Sequence, residues 1–244
     1  MKETAFSFAP PKDQLDEIER WLIEEDNLTG EGFYCNWEII ASSFDKKNIA
    51  TISEDNNPIG FITWRTNSSF TSIIEIAEIK PNYRKKGLGK QLVSKLIEKL
   101  VSEDICVISL QCAPSSSEPI WRQLGFIDFP KNKDIWNRSN VELYKIVVPQ
   151  LESQNSNNSD EFVELWDDEP YCTNESNSTW KWKLIFKEGT KELERPIIHP
   201  CHYDWRIKWS INNVKIKDDK VKYFDMGEIM FGKFLIIKNM PNIG

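Results

Sequence analysis

The stretch Leu151-Glu-Ser-Gln-Asn-Ser-Asn-Asn-Ser-Asp160 is almost wholly polar and shows no apolar period. Ordering it costs conformational entropy that no buried apolar surface offsets. It therefore reads as a linker over residues 151–160, and it separates two regions of different pattern. Residues 1–150 alternate strand-like with helix-like segments, which predicts an α/β domain: one mixed central sheet flanked by helices. Residues 161–244 alternate with period two, which predicts a small all-β domain. A chain of 244 residues has room for both.

In the first region, Asp13 to Glu25 carries Leu15, Ile18, Trp21 and Leu22 at helical spacing. Cys35 to Phe44 is a second, short helix. Asn48–Ser53 and Ile59–Arg65 flank Glu54-Asp-Asn-Asn-Pro58, which reads as a hairpin turn. Ser72 to Lys80 is a long strand ended by Pro81, which supplies no ladder donor. Gly87 to Val101 is a strong helix, Ile105 to Cys112 an apolar strand, and Ser117 to Leu124 a short helix. Pro119 in the first turn and Gly125 past the end give that short helix the expected asymmetry. A weak strand at Phe126–Phe129 and a last one at Val141–Val148 complete the region.

In the second region Trp180, Trp182, Leu184 and Phe186 point opposite to Lys181, Lys183 and Lys187. Trp205, Ile207, Trp209 and Ile211 repeat the pattern against Arg206 and Lys208. Val214 and Ile216 are expected to face Val221 and Tyr223 across a hairpin turn at Asp218-Asp219, and Phe231 to Lys238 is expected as the final strand. The Trp stripe reads as the core of a β domain rather than a ligand groove.

Charge and cysteine usage exclude other classes. With 31 basic against 38 acidic residues the net charge is −7, so a nucleic-acid backbone is a poor partner. No window approaches the roughly 18 apolar residues that a membrane span needs. The start MKETAFSFAPPKDQ has no basic, then apolar, leader. Five widely spaced cysteines make no disulfide framework and fit a reducing compartment, so the chain reads as cytoplasmic. Cys172 with His199, Cys201 and His202 matches no standard zinc spacing, and no metal is expected.

The segment richest in chemistry is Pro81-Asn-Tyr-Arg-Lys-Lys-Gly-Leu-Gly-Lys90, between a strand and a helix. Glycine lets the backbone turn tightly and approach a ligand. The first amides of the following helix lack intrahelical partners, and with the helix dipole they form an anion site suited to a pyrophosphate. Arg84, Lys85, Lys86 and Lys90 concentrate positive charge there in an acidic chain. The segment is neither the Rossmann fingerprint nor a P-loop, which need a third Gly or Gly-Lys-Ser/Thr.

These residues resemble the GNAT (general N-acetyltransferase) superfamily, whose signature Arg/Gln-x-x-Gly-x-Gly/Ala stands here as Arg84-Lys-Lys-Gly87-Leu-Gly89. Ile79-x-Pro81-x-Tyr83, the hairpin Asn57–Trp64 and Ile120-Trp-Arg-Gln-Leu-Gly-Phe126 add to the resemblance, which covers about residues 1–150 and nothing after. It implies transfer of acetyl from acetyl-CoA to an amine, and because none of the five Cys lies beside an evident His base in sequence, the transfer to a primary amine is expected to be direct, with no acetyl-enzyme. It implies parted fourth and fifth strands, the Ile79 backbone on the pantetheine arm, and Lys85, Gly87, Leu88, Gly89 and Lys90 on the pyrophosphate, helped by Arg84. Such chemistry needs a base to deprotonate the amine and a donor facing the thioester oxygen.

Glu75 and Glu78 on the key strand are the candidate bases. Strand alternation puts them on opposite faces, and Glu75, sharing a face with Ala77 and Ile79, is preferred. Trp121 stands where many members carry Tyr, and an indole cannot replace a phenol as proton donor. Tyr83 and Tyr34 are the substitutes. The acidic run from Asp13 to Glu31 reads either as a solvated helix face or as a rim that attracts a cationic acceptor. A rival reading is a CoA-binding regulatory protein whose second domain recognises a partner.

Overall fold

The computed structural model describes residues 4–30, 32–130, 141–154, 161–173, 177–224, 229–230 and 233–241. The chain divides into two compact units, Met1–Asp128 with Ser139–Val147, and Phe129–Arg138 with Val148–Gly244. The second unit therefore begins slightly before the expected linker. Leu151 and Gln154 belong to it, because their amides bond Pro196 O at 2.8 Å and Lys181 O at 2.7 Å. Residues 155–160 lie outside the described residues.

The first unit runs β1 (Thr4–Phe8), α1 (Lys12–Thr29), α2 (Trp37–Asp45), β2 (Ile49–Glu54), β3 (Asn57–Ser68), β4 (Thr71–Ile79), α3 (Leu88–Ser102), β5 (Val107–Gln111), α4 (Glu118–Gln123), β6 (Ile127–Asp128) and β7 (Glu142–Ile146). Its sheet has the order β1-β2-β3-β4-β5-β7-β6. Among the described residues only β4 and β5 pair in parallel, which requires the α3 crossover. Ile59, Ile62, Trp64 and Ile74 meet the Leu88, Leu92 and Leu96 stripe of α3. On the other face Phe61 and Ile76 meet Leu15, Ile18 and Leu22 of α1 and Ile40 of α2. Both faces are covered, so Ile49 to Ser53 of β2 are all buried, the polar Thr51 and Ser53 included. The first hairpin is tighter than its five-residue turn signal: Glu54 pairs with Asn57, and Asp55 and Asn56 take φ of 51° and 65°.

The second unit holds β8 (Glu161–Leu165), β9 (Trp180–Lys183), β10 (Glu192–Pro200), β11 (Arg206–Ile211), β12 (Val214–Lys220), β13 (Ile229–Met230) and β14 (Phe234–Asn239). They form sheets of order β12-β11-β8-β9 and β10-β14-β13. Trp182, Trp205, Ile207 and Trp209 lie in the core, as their period predicts.

The expected hairpin at Asp218-Asp219 is not formed. The turn lies at Asn212-Asn213, with φ of 48° and 64°, and β12 runs straight through Asp218 against β11. Asparagine tolerates the left-handed region far better than β-branched residues do, so the Asn pair supplies the turn. Val214 and Ile216 are consequently exposed, and Val221–Tyr223 is a single helical turn. Phe231 of the expected final strand lies outside the described residues, and β14 begins at Phe234.

Candidate active site

The sheet opens at one place. Thr63 pairs with Ile76 but Trp64 pairs with Ile74, so Glu75 is an extra residue, a bulge, on β4. The parallel pairing to β5 runs only from Thr71↔Val107 to Ile74↔Leu110. From Glu75 to Ile79 the two strands part. Lys80 donates to Ile59 O at 2.9 Å, so ladder alternation turns the main-chain groups of Ala77 and Ile79 away from β3 and into the gap. At Ile79 these groups are held within the chain. Its N–H donates to Glu78 Oε1 at 3.1 Å, and its carbonyl accepts from Arg84 Nε at 2.8 Å. Gly60 permits this approach, because a Cβ there would lie 2.4 Å from Ile79 Cδ1 and 3.0 Å from Glu78 O.

The loop after β4 is shaped by Lys85 and Gly87, at φ of 61° and 80°. Gly87 precedes the first residue of α3, and no side chain caps that terminus. The amides of Leu88, Gly89 and Lys90 therefore point outward without intrahelical partners. A Cβ on Gly87 would meet nothing within 4 Å, and one on Gly89 would lie 3.8 Å from Ile79 Cγ1. The outward amides and the strand gap are thus adjacent. Lys86 lies over the Tyr83 ring at 4.7 Å, and Tyr83 Oη donates to Glu54 Oε2 at 2.9 Å. Tyr34 stacks near Trp37, and Trp121 packs edge-on to Phe126 in the core.

The bulge also corrects the expectation that Glu75 and Glu78 face opposite ways. Ile74 packs on the α3 side and Ile76 on the α1/α2 side, so alternation breaks between them. Glu75 lines a cleft of about 290 Å³ with Glu38, Ile39 and Ser42 of α2, and pairs with Arg65 Nε at 3.0 Å. Glu78 joins Arg84 Nη2 at 2.9 Å, and the same nitrogen reaches Glu25 Oε1 of α1 at 2.6 Å. Both carboxylates therefore serve the α1/α2 side. Burial raises the Glu78 pKa above the usual carboxylate value. Arg84 opposes the shift and Glu25 reinforces it.

Arg84 is thus committed to Glu25 and Glu78 in this structure, while Lys85 and Gly87 lie in the loop and Leu88, Gly89 and Lys90 open α3. Part of the acidic run is neutralised locally: Lys80 reaches Glu17 at 3.4 Å and Lys12 reaches Asp16 at 3.0 Å. Glu31 lies outside the described residues. Glu25, Gly60 and Ala77 were not singled out by sequence. Glu25 sits in the middle of an acidic run, and its partner is distant in the chain. Among the described residues no group of three or more His, Cys, Asp or Glu side chains is placed to hold a metal, and no helix is long and apolar enough to cross a membrane.

Residues 12–126 match the model of the acetyltransferase (GNAT) family, and the chain carries a GNAT acetyltransferase domain there. "Uncharacterized N-acetyltransferase ycf52" of Gracilaria tenuistipitata var. liui is 36% identical over 72 residues, spanning 30% of this chain and 39% of that relative. A GNAT-family acetyltransferase from Bacillus cereus is similar at 18% identity and a TM-score of 0.46, over 60% of this chain and 99% of its own. PaiA N-acetyltransferase from Thermoplasma acidophilum, solved with coenzyme A, is similar at 16% identity and a TM-score of 0.46, over 59% and 99%.

Proposed function

We propose that the first unit transfers acetyl from acetyl-CoA to a primary amine. The observation that carries this reading is the opening of β4 from β5 beside an uncapped helix start. The amides of Leu88, Gly89 and Lys90, with Lys85 and the open space over Gly87, would hold the diphosphate. Ile79 would present its main chain to the pantetheine arm. The bound thioester supplies the activated acetyl group. Ala77 N–H, turned into the gap, is the donor available to a thioester oxygen as it gains charge.

The amine must shed a proton before it attacks, since primary amines are largely protonated at neutral pH. Of the two candidate bases we assign the task to Glu78. Its carboxylate sits beside the strand gap, and burial raises its pKa, which makes it the stronger base once ionised. Glu75 is paired with Arg65 and lines the cleft where the acceptor would lie. The acceptor's approach from the α1/α2 side follows from the shared placement of both carboxylates.

The test is thiol release from acetyl-CoA over a panel of primary amines. Release that depends on the amine, with an N-acetylated product in equal amount, supports the reading. Tight CoA binding without turnover on any amine would favour the regulatory alternative, to which the half-buried Trp121, with no phenol beside it in α4, points.

A further inference from the structure

Glu25 and Glu78 place two carboxylates against one guanidinium. Their side chains are only 8% and 12% exposed, while that of Arg84 is 43% exposed. Glu25 Oε2 is buried and has no hydrogen-bond partner. The turn after α1 covers it: a Cβ on Gly32 would lie 3.5 Å from Glu25 Cγ and 3.7 Å from Oε2. Burying a carboxylate oxygen without a partner costs free energy that packing alone does not return. Two buried carboxylates sharing one half-exposed cation make a site with acceptor capacity to spare. The cation in it is the part able to leave, because Arg84 is anchored in the loop and its guanidinium reaches the pair from the exposed side.

We infer that the Glu25–Glu78 pair is the cation site of the acceptor, and that Arg84 occupies it as an internal stand-in until the cofactor arm binds. The inference rests on the acetyl-CoA reading and deepens it. Ile79 is the link. Its carbonyl holds Arg84 Nε and its N–H holds Glu78 Oε1, the two groups the gap would offer a pantetheine amide. A ligand that takes these main-chain groups releases both side chains together. Glu25 then becomes a specificity-determining residue: it binds the ammonium or guanidinium of the acceptor and brings its nitrogen to Glu78.

Calorimetric titration with agmatine, which carries an amine and a guanidinium, tests the inference. In the native chain, saturating CoA should tighten agmatine binding at least about tenfold. Arg84→Ala should bind agmatine equally well with and without CoA, at or above the native CoA-bound affinity. Glu25→Gln and Glu78→Gln should each weaken agmatine about tenfold or more with CoA affinity nearly kept. Circular dichroism melts confirm that each variant is folded. An Arg84→Ala protein that gains no affinity for agmatine in the absence of CoA overturns the inference. So does a Glu25→Gln protein that binds agmatine like the native chain. Because the Arg84→Ala arm needs no cofactor, it separates this failure from failure of the native chain to bind CoA, which would remove the acetyl-CoA reading instead.

Discussion

The two units use similar materials and leave their polar groups in different states. In the second unit most charges and aromatic rings are closed on one another, although His199 Nε2 is buried there without a hydrogen-bond partner. Arg206 makes two 2.8 Å bonds to Asp218, Lys208 reaches Glu164 at 2.6 Å, and Lys191 reaches Glu161 at 3.0 Å. Trp209 Nε1 donates to Glu161 at 3.0 Å, and Trp180 stacks on Trp205 at 5.6 Å. In the first unit the sheet parts at Glu75, a helix begins without a side-chain cap, and Glu25 buries an unpartnered oxygen. Paired groups hold a fold together, whereas main-chain and carboxylate groups left open beside one another mark a place for a ligand. A row of lysines, such as Lys181 and Lys208 around Glu164, is a structural network when its partners are counted.

The largest effect that would sharpen this contrast is Trp209→Ala. Emptying a buried aromatic site should cost the second unit about 3–5 kcal/mol, read by chemical denaturation, while CoA affinity changes less than about twofold. A matching loss of CoA binding would break the separation of roles.

Next in size is a pH effect confined to the second unit. His199 lies 4.2 Å from the Trp180 ring and 5.7 Å from Trp182, and burial lowers its pKa to about 4. In the unfolded chain it titrates near 6.5. The unfolded state therefore binds more protons between these values. The stabilisation is whole above about pH 6.5 and is lost as pH falls through about 4, amounting to roughly 3 kcal/mol. His199→Phe should flatten that part of the pH–stability curve; an unchanged slope would contradict the burial.

In the first unit, Glu78→Gln should lower kcat about 100-fold, a typical loss for a general base. The acid limb of the native rate profile should lie above the usual carboxylate range, because burial raises the Glu78 pKa, and the variant should lack that limb. The same raised value makes the stability contribution of Glu78 greatest in acid and lost as pH rises through its folded pKa. An unaltered pH–rate profile would remove Glu78 from the role and return it to Glu75. The smallest effect is Asn213→Gly, which should raise stability by a few tenths to about 1 kcal/mol by easing the left-handed position in the β11–β12 turn.

Much of this was legible in the residues. Helical stripes such as Leu88, Leu92 and Leu96 state their own period, and Arg84 to Gly89 announces a tight turn ahead of a helix start. The bulge at Glu75 was not legible, since strand alternation has no mark for one inserted residue, and its presence moved Glu75 to the other face. The Glu25–Arg84 pair joins positions far apart in the chain, so neither residue signals the other. β10 was missed because Pro196 and Pro200 argue against a strand, yet Pro196 sits beside the irregular register between Glu192 and Ile197. The two polar pairs Asn212-Asn213 and Asp218-Asp219 offered the same turn chemistry, and only the pairing of β12 with β11 chose between them.

The central claim is that the amides at the start of α3 grip the diphosphate of CoA. Calorimetry of CoA against the native chain and Gly89→Glu tests it most directly. A Cβ at Gly89 meets only Ile79 Cγ1 at 3.8 Å, and an acidic side chain in a first helical turn favours the helix, so the variant should stay folded. One CoA bound per native chain, and binding weakened about 100-fold or more by Gly89→Glu, is the expected result. A native chain that binds no CoA, or a folded Gly89→Glu chain that binds it unchanged, would contradict the account.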